Sequence, residues 1–558
     1  MSASLRLNIT YCAAVMLLLI TGCGKSGTSP EPQPSQYSFV NMSVNGQSNG
    51  FAYTFTSVKP LIRLNFSEAQ RTSTIAGSVV MKSATGNVVP VTTTPDNNNA
   101  TIVVQPVTSL ATFSNYTLDV SNSLLSEKGG NIQFGISATL STGIDSLDKF
   151  PQISDDALLD LVQKQTFKYF FDFAHPVSGL ARERNSSGDV VTTGGSGFGV
   201  MATLAAVSRN FITRKQGLDQ LVKMVSFLKN TAQTFHGAYP HWLNGATGAV
   251  VPFSSRDNGA DLVETSFLIQ GLLCARQYFT GTDATETALR SDINVIWNRV
   301  EWNWFRKSNE NVLYWHWSPS AAWDINLQIK GWNECLVTYV LGASSSTNPI
   351  PKSVYDNGWA GNGSMKNGGS FYGVTLPLGT GSGGPLFFSH YSFLGINPKD
   401  LTDAYANYWT QNTAQSRINL NYCKANPKKF AGYSSACWGL TASDNNLTGY
   451  AAHSPDNDLG VISPTAAISS MPYLPAESME ALRFFYYKLG DRIFKDYGFT
   501  DAFNLNNAWF ATSSLAIDQG PQIVMIENYR SGLLWNLFMS CPEIKTGMKS
   551  LGFQSPNL

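Results

Sequence analysis

Two hydrophobic rhythms divide this chain. From about Tyr37 to Leu140, apolar and polar residues alternate over short β-branched runs such as Leu61-Ile62-Arg63-Leu64-Asn65-Phe66, Gly77-Ser78-Val79-Val80-Met81, Ala100-Thr101-Ile102-Val103-Val104 and Asn115-Tyr116-Thr117-Leu118-Asp119-Val120. A period of two sends one face of each run into a core, and the Asn, Gly and Pro between runs form turns, so the segment predicts an all-β sandwich. Between Ser141 and Ser154 the alternation stops. Asp155 to Phe173 then sets Leu158, Leu161, Val162, Thr166, Tyr169 and Phe170 on one stripe, which predicts an amphipathic helix. Further helices are expected near 197–210, 214–231, 259–280, 284–301, 323–343, 400–417, 475–489 and 529–540, separated by long loops rich in Gly, Asn, Trp and Tyr. The second part is thus expected to be all-α, with its chemistry carried on loops.

The first residues follow neither rhythm. Arg6 precedes an apolar run, Ala13 to Ile20, of signal-peptide length. It ends in Leu19-Ile20-Thr21-Gly22-Cys23, which resembles the bacterial lipobox and implies cleavage before Cys23 and acylation of its thiol. The tract from Gly24 to Gln36 is rich in Pro, Ser and Gly, cannot bury a core, and reads as a tether. The expected organisation is a lipoprotein signal over 1–22, lipidated Cys23 and tether over 23–36, a β-sandwich over 37–143, and a helical domain over 150–556. These features place the expected protein in the cell envelope, facing the periplasm or the outer surface, with its membrane contact made through lipid.

Composition narrows the ligand. Lys+Arg and Asp+Glu are 38 each, a balance that argues against a nucleic-acid partner. Charged residues are 14% while aromatics reach 12%, which suits either a neutral, hydroxyl-rich ligand or an aromatic core. Of seven cysteines, those beyond Cys23 (Cys274, Cys335, Cys423, Cys437 and Cys541) have neither a zinc spacing nor the even count of a disulfide framework, although Cys423 and Cys437 share a loop and can pair or stay as buried thiols. No P-loop occurs, and the glycine run Gly194-Gly195-Ser196-Gly197-Phe198-Gly199 follows no expected strand, so a nucleotide site is not indicated.

The densest chemistry lies in Arg256-Asp257-Asn258-Gly259-Ala260-Asp261-Leu262-Val263-Glu264, with three carboxylates within eight residues. If a helix begins near Gly259, Asp261 and Glu264 share a face with Asp257 just ahead, and like charges so close raise one pKa, as a hydrolase needs for an acid beside an ionised base. The structural alternative is that Asp257 or Asn258 is an N-cap and Asp261 meets the helix dipole.

Several motifs in one order carry a resemblance. Gln165-Thr166-Phe167-Lys168-Tyr169-Phe170, His175-Pro176-Val177-Ser178-Gly179-Leu180-Ala181-Arg182-Glu183-Arg184, Asp261-Leu262-Val263-Glu264-Thr265-Ser266-Phe267, Gly331-Trp332-Asn333-Glu334-Cys335, Gly384-Pro385-Leu386-Phe387-Phe388 with Leu394-Gly395, and Asp518-Gln519-Gly520-Pro521 with Glu527-Asn528-Tyr529-Arg530-Ser531-Gly532 resemble the bacterial glycoamylase-like domain of glycoside hydrolase family 144. The segment before it is similar to bacterial Ig-like domains, read here as a spacer. The resemblance implies an (α/α)6 toroid after an all-β Ig-like sandwich, and an inverting enzyme that cuts β-1,2-glucan. It maps the family's important acids onto Asp257, Asp261 and Glu334, and the expected working pair is Glu334 with one of Asp257 or Asp261; Glu264, one turn deeper, is expected as a wall residue or pKa tuner. Asp518 and Glu527 are secondary candidates, with a structural role for both, tying the last loop to Arg530, equally open.

A sugar site needs flat apolar faces with a few placed polar groups. Candidates on loops are His241-Trp242, Trp315-His316-Trp317, Trp323, His390-Tyr391, Trp438 and Trp509, each of which can equally belong to the core. The six His show no metal spacing, so no metal and no cofactor is expected, and the partner is a glucan bound by a monomer. Open alternatives are a glucoamylase-like hydrolase on another glucan, a polysaccharide lyase, and a surface glycan-binding lipoprotein without catalysis.

Overall fold

The structure, a computed structural model, describes residues 36–558. The expected signal segment and Cys23 lie outside these residues, as does all of the tether before Gln36. Two compact units emerge: one is built from Leu61–Val107 and Thr117–Ala138 with the segment ending at Phe51, the other from Ala52–Pro60, Thr108–Tyr116 and Thr139–Leu558.

The β-rich region begins with β1 (Phe39–Val44), β2 (Ala52–Thr56) and β3 (Ile62–Phe66), followed by β4 (Val79–Ser83), β5 (Val88–Val89), β6 (Val91–Asp96), β7 (Thr101–Pro106), β8 (Asn115–Val120) and β9 (Ile136–Thr142). One sheet has the order β1-β3-β7-β6 and the other β2-β9-β8-β4-β5. In β3 the alternation works as expected: Ile62, Leu64 and Phe66 are buried while Arg63 and Asn65 are only half-buried. Gly77-Ser78 departs from the expectation. It ends a short helix, Thr72–Ser78, and the strand starts only at Val79, where β-branched residues take over.

The helical part contains α1 (Asp155–Phe171), α2 (Thr193–Ser208), α3 (Arg214–Asn230), α4 (Leu262–Tyr278), α5 (Ala284–Asn298), α6 (Leu336–Ser344), α7 (Tyr408–Ala425), α8 (Pro464–Ser469), α9 (Pro475–Ile493), α10 (Ala516–Arg530), α11 (Leu533–Ser540) and α12 (Pro542–Leu551). Burial sorts them into two layers. Along α2 every residue from Thr193 to Val207 is buried, and along α4 every residue from Leu262 to Ala275. Helices apolar all round belong inside. In contrast α3 and α5 bury only a stripe and expose the rest, as outer helices do. The inner layer closes on itself: α2 packs on α4, α4 on α6, α10 on α8 and on α2. Two 3-10 turns, Leu386–Ser389 and Ser392–Leu394, fill the remaining place between α6 and α8. Hydrogen bonds from Tyr473 Oη to the Ser389 carbonyl (3.0 Å) and between His390 Nε2 and Ser470 Oγ (3.0 Å) join them to the α8 side. This is the expected double-layered helical toroid, preceded by the expected Ig-like sandwich.

The helix expected over 400–417 is displaced to Tyr408–Ala425, where Asn407 caps it, and two further expectations fail for physical reasons. The helix expected over 323–343 forms only from Leu336, because Asn326 and Gly331 hold left-handed backbone (φ 52° and 76°) in the loop before it. The segment before Arg530 was expected as loop but is α10, whose internal Pro521 is accommodated in the helix. The five cysteines among the described residues are buried free thiols, so Cys423 and Cys437 are unpaired.

Candidate active site

The inner helices present their N-terminal ends to one cleft. It has a volume of about 420 Å³ and is lined by Glu183, Arg184, Thr192, His241, Trp242, Phe253, Glu264, Trp315, Glu334, Phe387, Tyr391, Ala442, Tyr450, Leu515 and Ile517. Thr192 is the N-cap of α2, Glu264 lies in the first turn of α4, Glu334 directly precedes Cys335, the N-cap of α6, and Ile517 opens α10. The positive ends of several helix dipoles therefore meet here, which favours anions in the cleft. A larger groove of about 650 Å³ in the β-rich region, lined by Phe39, Phe51 and Phe134 among others, includes no charged side chain and so no pair of carboxylates for hydrolysis.

Short strands fix the walls. A three-stranded ribbon of β10 (Val190–Thr192), β11 (Trp242–Asn244) and β12 (Val250–Val251) sets Thr192 opposite Trp242. The pair β13 (Ala260–Asp261) and β14 (His316–Trp317) sets Asp261 opposite His316. A strand thus does precede the glycine run, yet the anion at the start of α2 is a side chain of this protein. Glu264 accepts from the Gly194 N–H (2.8 Å) and the Thr192 hydroxyl (3.5 Å). A Cβ on Gly194 would fall 2.5 Å from Glu264 Oε2, which explains a glycine at this position.

The N-cap of α4 is Asp261 itself, not Asp257 or Asn258, and Asp261 lies before the helix and not on a helical face with Glu264. Its Oδ1 accepts from the N–H groups of Val263 (3.0 Å) and Glu264 (2.9 Å), and its Oδ2 from His241 Nδ1 (3.0 Å). His316 Nε2 lies 3.6 Å from the same Oδ2 and 3.4 Å from Asp257 Oδ2. Asp261 is fully buried, while Asp257 and Glu264 are each 7% exposed and Glu334 9%.

Burial and charge then separate the acids. Burial alone would raise Asp261, but the bonds and charges of His241 and His316 hold it well below the usual carboxylate range. Burial, then the negative Asp261, raises Asp257. Burial raises Glu264 against the opposing pull of His241. Burial, reinforced by Glu264 and Asp261, pushes Glu334 up to about 7. Burial disfavours a charged His241, yet Glu264, Asp261 and Asp257 outweigh it and bring that ring to about 9. His241, Asp257 and Asp261 are also the described residues whose donor atoms converge as metal ligands would, all within 4.8 Å of one another. The contacts among these groups and His316 form a network of alternating imidazoles and carboxylates, which balances its own charge.

The sugar-binding candidates divide. Glu264, Trp242, Trp315 and Tyr391 line the cleft. His316 stacks on Trp315 (5.7 Å, 15°) behind the wall. Trp317 and Trp323 belong to a separate aromatic cluster with Trp304 (5.5 and 4.7 Å). Trp438 and His390 are buried in the core and Trp509 sits in the β-hairpin of Phe503–Asn504 and Trp509–Phe510, so these three do not line the cleft. Sequence reasoning missed Phe253, which packs on Trp242 (4.8 Å) and His241 (4.5 Å) although half of it is exposed. It also missed Tyr450 and the roles of Glu183 and Arg184, the last two sitting inside a quoted motif. Arg184 pairs with Glu183 (2.9 Å) and Asp444 (3.2 Å), and it lines the same cleft as Glu264. Glu527 is paired with Arg209 (2.7 Å) in the core and not with Arg530, which bonds Asp160.

Asp518 and Asp501 form a second, buried acid pair that feels the charges of Asp444 and Arg184. Asp501 Oδ1 and Asp518 Oδ2 meet no N–H or O–H donor of another residue. Burial, then the charge of Asp444, raises Asp501 to about 7, and burial, then the charge of Asp501, raises Asp518 further. The folded state thus holds a proton that the unfolded chain releases near pH 4. The pair's contribution to stability is complete below that pH and is lost as pH rises through about 7 and beyond. Asp518→Asn, which supplies a permanent N–H, is expected to flatten the fall of Tm between pH 5 and 9; an equally steep fall would show that the pair retains no such proton.

The family described as "Putative glucoamylase" matches residues 326–542, and the bacterial Ig-like domain family matches residues 44–141. An exo β-1,2-glucooligosaccharide sophorohydrolase (non-reducing end) of Parabacteroides distasonis is 44% identical over 421 residues, 72% of this chain, and the chain spans 58% of that relative's length. The solved endo-β-1,2-glucanase of Chitinophaga pinensis, in complex with sophorotriose and glucose, is 53% identical with a TM-score of 0.71, covering 73% of this chain and 100% of its own. The β-1,2-glucanase structure from Parabacteroides distasonis is 36% identical with a TM-score of 0.70, covering 94% of this chain and 74% of its own.

Proposed function

The chain belongs to the glycoamylase-like family of glycoside hydrolases, family 144, and on that premise we propose that it hydrolyses β-1,2-glucan or its sophoro-oligosaccharides with inversion. The observation that carries this reading is the pair Glu334 and Glu264 on one cleft, with Glu334 raised to about 7 and so able to keep its proton near neutral pH. Inversion needs a protonated carboxyl at the leaving oxygen and an ionised one for the attacking water. Glu334 supplies the first. Glu264, held by the Gly194 N–H, the Thr192 hydroxyl and the nearby His241 cation, supplies the second, directly or through a sugar hydroxyl. Trp242, Trp315 and Tyr391 give the apolar faces that a pyranose ring needs.

Two rival readings are weaker. A lyase acting on uronates needs a surplus of positive charge for the substrate carboxylate, whereas both cations of this cleft are matched by acids, Arg184 by Glu183 and Asp444 and His241 by Asp261. A binding protein without chemistry has no use for a carboxyl raised to about 7 beside a second one. The motif ending at Cys23 and the Pro/Ser/Gly tract after it support attachment to the cell envelope by lipid, and no helix among the described residues is long and apolar enough to cross a membrane.

The test is incubation of the purified fragment beginning at Ser26 with linear β-1,2-glucan, starch and β-1,3-glucan, following early products by proton NMR. Cleavage of the β-1,2 polymer alone, with the α-anomer appearing first, is the expected result, and the product ladder separates internal cleavage from release of a short sugar at a chain end. Cleavage of starch alone would overturn the substrate, and first appearance of the β-anomer would overturn inversion.

A further inference from the structure

Neither aspartate of the family pattern, Asp257 or Asp261, is among the residues that line the cleft. Asp261 has no oxygen left for a sugar. One oxygen caps two N–H groups of α4, the other takes the imidazole of His241 with His316 close behind, and the residue is fully buried and absent from the cleft lining. His241 is its complement. Its side chain is 26% exposed and lines the cleft, and Phe253 and Trp242 pack against the ring at 4.5 and 5.6 Å. With Nδ1 bound to Asp261, Nε2 is left without a protein partner among the described residues.

Building on the hydrolase reading above, we propose that His241, clamped by Asp261, is the group that meets the substrate, its Nε2–H donating to an oxygen of the glucosyl unit at the scissile bond, and that Asp261 is a positioning residue acting through it.

A ring whose Nδ1–H is held by a buried carboxylate has a fixed tautomer and a fixed plane, so its second N–H points one way. Asp261 faces it from the N-cap of α4, Glu264 from the first turn, Asp257 from the preceding loop and His316 from β14, while Glu334 and the Glu183–Arg184 pair share its cleft. The three carboxylates nearest to it bring its pKa to about 9, so both nitrogens carry protons through the neutral range and Nε2–H is a charge-assisted donor. No proton needs to leave it during the reaction. Its work is to orient the sugar and to offset the negative charge of Glu264.

The test uses the mature chain, Asp261→Asn, His241→Ala, His241→Gln and the double variant Asp261→Asn/His241→Ala. Asn keeps the capping oxygen and removes the charge, so the helix start is preserved. NMR titration of the His241 ring is expected to give a midpoint near 9 in the natural protein and a lower one in Asp261→Asn. On β-1,2-glucan, His241→Ala is expected to lower kcat/KM by about 10²-fold, with partial recovery in His241→Gln. The double variant should be no worse than the poorer single one, since residues that act as one unit are not additive. Losses that multiply, or a midpoint near that of free histidine, would overturn the proposal. If the natural protein cuts no glucan, the hydrolase reading falls by itself, and the ring titration still decides the Asp261 clamp.

Discussion

Glu334→Gln is expected to lower kcat on β-1,2-glucan by about 10²–10⁴-fold, the range for loss of a general acid, while making the protein no less stable at neutral pH. The two effects have one cause. Glu334 is buried beside Glu264 and Asp261, so its proton is retained to about pH 7. Below the usual glutamate pKa that proton costs nothing; from there to about 7 the unfolded chain has released it while the folded state still holds it, and this difference removes stability until the folded group ionises as well. Gln has the shape of the protonated acid and never ionises. The variant should therefore melt at the same temperature as the natural protein at pH 4 and at a higher one at pH 8, although it has lost its activity. In the natural protein kcat/KM should fall as pH rises through about 7, as the acid form is depleted. A substrate with a good leaving group, which needs little protonation, should recover much of the lost rate in Glu334→Gln. If activity persists, or if the melting curves differ at pH 4 but not at pH 8, Glu334 is not the acid.

The sequence exposes the site unevenly. Asp257, Asp261, Glu264 and Glu334 can be picked out by clustering and resemblance, because acids that must share a cleft lie at the starts of successive inner helices. Their division of labour is invisible there, since it depends on which oxygen each partner takes. Asp261 and Glu264 are three apart and would share a helical face, yet the chain turns at Asp261, one caps the helix, and only the other reaches the cleft. Nor can spacing tell platform from core. Trp242 and Trp438 both sit near glycines and polar residues, but one flanks a ribbon beside the cleft and the other is fully buried. The layers of the toroid are legible wherever a stripe exists, as in α1, and blurred where a helix is buried all round, as in α2 and α4, because such segments lack the polar face that marks a boundary. Glu334 illustrates the hardest case: it lies in a loop held by left-handed Asn326 and Gly331, within what reads as one long helix.

Gly197→Val is expected to destabilise the helical unit by about 3 kcal/mol or more, at the upper end of the cost of overpacking, and to reduce activity as a consequence. A Cβ at Gly197 would fall 2.2 Å from the Phe267 carbonyl oxygen and 2.6 Å from Leu268 Cα, and one at Gly271 would fall 2.2 Å from the Gly197 carbonyl oxygen. Both collisions are with backbone, so no rotamer change relieves them; α2 and α4 have to move apart. That separation would loosen the Phe198–Phe267 contact, 5.4 Å between ring centres, and draw the Gly194 N–H away from Glu264, which it holds at 2.8 Å. The glycine run at the start of α2 therefore serves a helix–helix contact that keeps the carboxylate in place. Gly77→Ala is the control: nothing lies within 4 Å of its added Cβ, and removal of a helical glycine is expected to be neutral or to stabilise by a few tenths of a kcal/mol, about 0.4–1 at most. Chemical denaturation and kcat on β-1,2-glucan, measured on both variants, check this. A Gly197→Val protein as stable and as active as the natural one would mean that α2 and α4 can part without cost, and that the position of Glu264 is set by something other than their contact.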